Sequence, residues 1–180
     1  MPPLLARIDS LDRATTVSVS RWSRRAPVAV FFRAVSRVGN GLIWYALLGA
    51  LLVVSGGGEW QRVLHFGVTA LVAVGVYKLL KRRLVRERPF IADPDICCAC
   101  APLDRYSFPS GHTLHAALFA TLFMSLSPLL GMALVVFAVL TAASRMILGL
   151  HYPTDVIVGA ILGVVMAKIS IALMPLTFAQ

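Results

Sequence analysis

Apolar residues fill this chain in long runs, and the polar residues that interrupt them gather at a few places. Runs over 42–54, 63–80, 113–126, 129–148 and 156–174 carry few charges and approach the ~20 apolar residues a helix needs to cross a bilayer. The pattern predicts an all-α fold, a multi-pass transmembrane helical bundle of five to six spans. The sixth candidate is 27–38, an apolar segment broken by Arg33 and Arg37, which lies along the membrane, enters it obliquely or crosses it. Upstream, Leu4, Leu5, Ile8 and Leu11 recur at helical spacing among Arg7, Asp9, Asp12 and Arg13, as in an interfacial amphipathic helix. Gly39-Asn40-Gly41 and Ser55-Gly56-Gly57-Gly58 bracket the first run. Ser127-Pro128 joins two runs so tightly that their helices should be antiparallel neighbours. Gly159 and Gly163, four apart on one helix face, permit close packing, a spacing too common to carry functional weight.

Composition agrees with embedding: 58% of residues are hydrophobic and only 14% charged, and mean hydropathy is +0.81. Residues 1–25 contain no early apolar stretch of a cleavable signal, so the spans themselves are expected to target the chain. The net charge of +9 points to anionic lipid. No basic tract with interleaved aromatic residues argues for nucleic acid, and no obligate protein partner is evident. Cys97, Cys98 and Cys100 crowd one loop in a CCxC spacing that matches neither a zinc site nor an even disulfide framework. Two regions result: 1–40, amphipathic and interfacial, and 41–180, the transmembrane bundle, whose long polar segment 81–109 is the candidate active-site loop.

Alternating spans bring the end of the second, the start of the third, the end of the fourth and the start of the fifth to one face. Lys81, Arg88, His112, Arg145, His151 and Asp155 therefore converge there. An ionisable group at the bilayer centre costs roughly 2.5–3.5 kcal/mol on insertion scales, which puts such a cluster at the membrane edge or in a wet pocket. Asp155 follows His151 by four residues; on a helix beginning near His151 its carboxylate would hold one ring nitrogen and leave the other free. Pro109-Ser110-Gly111 feeds into an apolar helix, so the amides of Ser110, Gly111 and His112 are candidate anion donors. Two imidazoles, three cations and an amide nest suit in-line phosphoryl transfer, one His attacking and the other protonating the leaving oxygen. The acids on this face are too few to cage a metal, and His112 with His115 lacks a third ligand for zinc, so no cofactor is implied.

Lys81-x6-Arg88-Pro89, Pro109-Ser110-Gly111-His112 and Ser144-Arg145-x5-His151-x3-Asp155 together resemble the three-part signature of the type 2 phosphatidic acid phosphatase family, complete, in order and correctly spaced across about 62–175. The resemblance implies that His151 is the nucleophile that becomes phosphorylated and that Asp155 activates it. It implies that His112 protonates the departing alcohol, and that Lys81, Arg88, Ser110, Gly111 and Arg145 bind the phosphate. It further implies a metal-independent phosphatase acting on a lipid phosphate or diphosphate of the undecaprenyl diphosphate, phosphatidylglycerophosphate or phosphatidic acid class. Residues 1–40 lie outside the signature.

Vanadium haloperoxidases resemble the same constellation, but they are soluble, whereas this chain is membrane-like in composition. A non-catalytic protein that binds or transports anionic lipid is the other alternative, although such a protein would be expected to lose His151, His112 or Asp155. The resemblance implies a bacterial inner membrane and a periplasmic catalytic face. Five spans, however, set Arg21, Arg24 and Arg25 on the catalytic side, which the positive-inside tendency would turn toward the cytoplasm; a sixth span would move them across.

Overall fold

The computed structural model describes residues 3–102 and 104–173, and these are helical or irregular. Helix α1 spans Pro3–Ser20 and runs through a 3-10 turn at Arg21–Arg24 into α2, Ala26–Val38. The Gly39-Asn40-Gly41 break, with Gly41 at φ 91°, then turns the chain into α3, Leu42–Val54. After the glycine turn come α4, Trp60–Arg83, and the single-turn α5, Pro89–Ala92. The bundle closes with α6, Gly111–Met124, α7, Pro128–Ile147, and α8, Pro153–Leu173. The start and end of every predicted run match a helix to within a few residues, except Met174, which lies outside the described residues.

Among the described residues three helices, α4, α7 and α8, are long and apolar enough to cross a membrane, and α2 with α3, bent by 53°, forms a fourth candidate. The predicted third span, α6, has 14 residues and is ~21 Å long at 1.5 Å per residue, less than the ~30 Å of a bilayer's hydrocarbon core. It is also the most enclosed helix. Leu114, Ala116, Leu118, Phe119, Leu122 and Phe123 are all buried, because α6 lies at the centre of the bundle against α7, α8 and α4. The Phe119 ring stacks on Trp44 of α3 at 4.8 Å, and Phe123 meets Phe66 of α4 at 5.6 Å. Hydrophobicity on every side of α6 is thus explained by neighbours on every side.

The contact of α6 with α8 is closer than ordinary side chains allow. A Cβ at Gly159 would lie 2.6 Å from the Ser110 carbonyl oxygen, and one at Gly163 only 2.2 Å from that of Leu114. These two glycines therefore carry more weight than their spacing suggested, since they set the N-terminus of α6 beside that of α8. Away from this seam, Ser170 of α8 ties to α4 through hydrogen bonds of 2.6 Å to both His65 Nε2 and Thr69 Oγ1.

Helix α1 packs with its polar side inward. Asp12, Thr16 and Ser20 are buried, while Leu4, Leu5, Ile8 and Leu11 are 68%, 49%, 38% and 60% exposed.

Gly163→Ala should force α6 and α8 apart, because the obstructing atom is backbone; overpacking of this kind costs about 1–3 kcal/mol. Thermal unfolding in detergent should show a clearly lower midpoint for this variant. Gly75→Ala, whose added Cβ meets nothing within 4 Å, should leave the midpoint unchanged. Equal midpoints for the two would show that the helices are not in such contact.

Candidate active site

One cavity of about 520 Å³ opens at the end of the bundle where α4 stops and α6 and α8 begin. Its wall brings together Lys81, Arg88, Gly111, His112, Arg145 and His151, as the alternation of spans predicted. Two more predicted residues, Ser110 and Asp155, stand behind that wall, both fully buried. Deeper in, the lining turns apolar with Trp44, Leu48, Leu71, Val74 and Phe119.

His151 precedes α8 instead of lying within it. The chain leaves α7 through Gly149 at φ 73°, a left-handed helix stop, and α8 begins only at Pro153. Asp155 sits in the first turn of α8, where its Oδ2 accepts the Tyr152 amide at 2.9 Å. His151 Nδ1 lies 3.6 Å from the same oxygen and makes no hydrogen bond. The expected His–Asp pairing is thus present as proximity across a turn, without the helical geometry. His151 Nε2 points the other way, 3.4 Å from Arg88 Nη1. Burial, reinforced by Arg145, Arg88 and Lys81, holds the His151 ring well below the ordinary imidazole pKa, so it is neutral and can act as a nucleophile.

The cations are buried, and each has at least one local acceptor. Arg88, 1% exposed, donates from Nη1 to the Leu150 carbonyl at 2.8 Å and from Nε to that of Asp104 at 2.9 Å. Arg145 donates from Nη1 to Ser36 Oγ at 2.5 Å, and its Nε is buried without a partner. Lys81 Nζ reaches both carboxylate oxygens of Asp104, at 2.7 and 2.8 Å, and Arg88 Nη2 reaches Oδ1 at 2.7 Å. Asp104 therefore lies between two of the predicted phosphate ligands. Partial burial pushes its carboxyl upward, but Lys81 and Arg88 outweigh this and hold it below the usual carboxylate range.

The amide nest is smaller than expected. The Ser110 N–H donates to the Asp155 carbonyl at 3.0 Å, and its hydroxyl pairs with Thr113 Oγ1 at 3.0 Å. Gly111 and His112 occupy the first turn of α6, where amides have no acceptor within the helix. Asn40 Oδ1 accepts from His112 Nε2, a bond that requires the proton on that nitrogen.

Five residues at this site were not singled out in the sequence: Asp12, Ser36, Asn40, Arg86 and Asp104. Arg86 donates from Nη1 to Asp155 Oδ1 at 2.8 Å and from Nη2 to Asp12 Oδ2 at 2.8 Å. Asn40 carried one signal, its place between two glycines at a helix break; Asp12, Arg86 and Asp104 lie inside polar segments and Ser36 inside an apolar one, and these carried none.

A sequence model of the PAP2 superfamily matches residues 62–178. The chain is 35% identical over 130 residues to decaprenylphosphoryl-5-phosphoribose phosphatase of Mycolicibacterium smegmatis, covering 71% of this chain and 68% of that protein. It is 30% identical over 138 residues to the undecaprenyl-diphosphatase of Sulfolobus acidocaldarius, covering 72% and 62% respectively. Its fold is similar to the crystal structure of Aquifex aeolicus LpxE, with a TM-score of 0.75 and 27% identity over 87% of this chain and 92% of that one.

An anion entering between Lys81 and Arg88 must displace the Asp104 carboxylate. Asp104→Asn should therefore bind inorganic phosphate several-fold more tightly by isothermal titration calorimetry. Unchanged or weaker binding would mean that the carboxylate does not compete for those cations.

Proposed function

The chain belongs to the PAP2 superfamily, and from that premise we propose that it is a membrane phosphatase removing the terminal phosphate of a lipid phosphate or diphosphate. The observation that carries this reading is that one cavity has both a cationic, histidine-lined end and an apolar depth. A phosphorylated head group matches the first, and an acyl or isoprenyl chain matches the second. Substrates of the undecaprenyl diphosphate, phosphatidylglycerophosphate or phosphatidic acid class all share that division.

His151 Nε2 attacks phosphorus in line as the bond from phosphorus to the lipid oxygen breaks, which gives a phosphohistidine. Asp155 steadies the ring through Nδ1, closing the present 3.6 Å gap as positive charge develops on the imidazole. His112, in its doubly protonated form, gives one proton to the departing lipid oxygen while Asn40 holds the other and orients the ring. Water then attacks phosphorus as the phosphorus–nitrogen bond breaks, with His112 taking the water's proton, releasing phosphate and restoring both rings. Lys81, Arg88, Arg145 and the amides of Gly111 and His112 face the charge that builds on the equatorial oxygens. Ser110 contributes through its backbone, fixing the first turn of α6 against Asp155. No metal is required, since Asp155 and Asp12 are already engaged by Arg86, and Asp104 by Lys81 with Arg88.

In the membrane, α2 with α3 forms one bent span, α4, α7 and α8 three more, and α6 a fifth, shielded from lipid by its neighbours. Five spans, not six, fit the seat of α1 on the catalytic face, where Asp12 meets Thr154. The exposed leucines of α1 then lie in the interface. By analogy with carrier-lipid phosphatases the catalytic face is periplasmic and the membrane a bacterial inner membrane. The proximity of Arg21, Arg24 and Arg25 is the cost of that orientation under the positive-inside tendency.

Purified protein tested against a panel of these lipid phosphates should release phosphate from at least one. His151→Ala should lose at least ~10³-fold in turnover while remaining folded, and full turnover in that variant would defeat the mechanism. Because the His151 ring is shifted downward, activity should be lost on acidification only below the ~6.5 of free imidazole. Exposed Cys97 and Cys98 should react with a membrane-impermeant maleimide in intact cells if the face is periplasmic. Protection until lysis would place it in the cytoplasm.

A further inference from the structure

Contacts reach the site from ahead of residue 62, where the superfamily match begins, among them Ser36 to Arg145, Asn40 to His112 and, third, Asp12 to Arg86. The third forms a continuous chain of charges ending at the carboxylate beside His151. Arg86 lies over the Tyr152 ring at 4.1 Å, with its two terminal nitrogens divided between two buried carboxylates. Nη1 donates to Asp155 Oδ1 and to Thr154 Oγ1, each at 2.8 Å; Nη2 donates to Asp12 Oδ2 at 2.8 Å. Asp12 also accepts the Thr154 amide at 3.0 Å and the Thr154 hydroxyl, so α1 is fastened to the first turn of α8. Asp12 and Asp155 are 3% and 0% exposed, so solvent screens this chain of charges weakly.

We infer that Asp12 of α1 is a positioning residue for Asp155, acting through Arg86 to keep one net negative charge beside His151. The inference rests on the proposed role of Asp155. Arg86 paired with Asp155 alone would be neutral as a unit and would offer little to an imidazole that gains positive charge on phosphorylation. With Asp12 the trio carries one negative charge, and Arg86 is drawn toward α1, leaving Asp155 Oδ2 for the Tyr152 amide and His151 Nδ1. The other ionisable groups facing Arg86 and Asp155 are few. Asp9 of α1 reaches Arg86 at 3.3 Å but is 64% exposed, Tyr152 lies beneath the guanidinium, and the Arg13–Asp93 pair at 2.6 Å lies near Asp12 along α1. Burial alone would lower the Arg86 pKa, yet Asp155 and Asp12 hold it above its ordinary value. α1 thus joins a match-external segment to the proposed nucleophile by charge as well as by packing.

The test compares full-length variants on dioleoyl phosphatidic acid in mixed micelles, or on the lipid that the panel identifies if that is another. Asp12→Asn keeps the shape and removes the charge; kcat should fall about ten-fold with KM little changed, and the acid limb of kcat should move to lower pH. Asp9→Asn should match the parent. Adding Arg86→Gln to Asp12→Asn returns the lone charge of Asp155, so the double variant should recover part of the lost kcat. A parent-like Asp12→Asn, or a double variant whose losses simply multiply, would overturn the inference. If Asp12→Asn does not fold, comparing the double variant with Arg86→Gln alone reads the same charge: removing it should move the acid limb of kcat to lower pH, and an unmoved limb would overturn the inference. His151→Ala separates the two levels, since its survival as an active enzyme would defeat the proposed function, whereas an inactive His151→Ala beside a parent-like Asp12→Asn defeats only the role of Asp12.

Discussion

Backbone contact between α6 and α8 governs the geometry of everything else. Gly159 and Gly163 let the helices meet where any side chain would collide with the Ser110 and Leu114 carbonyls. In lipid, apolar helices gain little from hiding from water, so such close fits and buried polar ties hold a bundle together. The same contact aligns two helix starts. Ser110 donates its amide to the Asp155 carbonyl, which places the first turn of α6, with Gly111 and His112, beside the turn that carries His151. Widening that seam would separate the two imidazoles without altering either.

The cations follow a second rule. Lys81, Arg88 and Arg145 are 7%, 1% and 3% exposed, and the three positive charges in one wall repel one another as well as losing water. They are held by local acceptors: Asp104 for Lys81 and Arg88, the Leu150 carbonyl for Arg88, and Ser36 for Arg145. The arrangement favours an incoming anion, which relieves the repulsion, and it keeps His151 unprotonated. The proposed nucleophile and the proposed anion site thus share one electrostatic cause.

Much of this was legible in the chain. Long apolar runs gave the helices, and counting crossings was enough to bring Lys81, Arg88, His112, Arg145 and His151 to one cavity. What was not legible depends on distance or on turns. The short central α6 reads like a span because burial in protein and burial in lipid select the same residues. His151 and Asp155 are spaced as on a helix, yet a left-handed Gly149 and the late start of α8 make their approach a turn. Asp12 and Arg86 are 74 residues apart and share no periodic pattern, so only the folded chain reveals their bond. Asp104 sits in an irregular loop whose path no local propensity dictates.

The proposed transfer of phosphate to the His151 ring can be tested directly. The enzyme is quenched during turnover of lipid carrying a ³²P-labelled terminal phosphate, then digested and mapped by mass spectrometry. The label should be acid-labile, alkali-stable and confined to the peptide containing His151, and it should persist longer in His112→Ala. Label on another residue, or rapid turnover with no covalent label under conditions that preserve phosphohistidine, would contradict that chemistry.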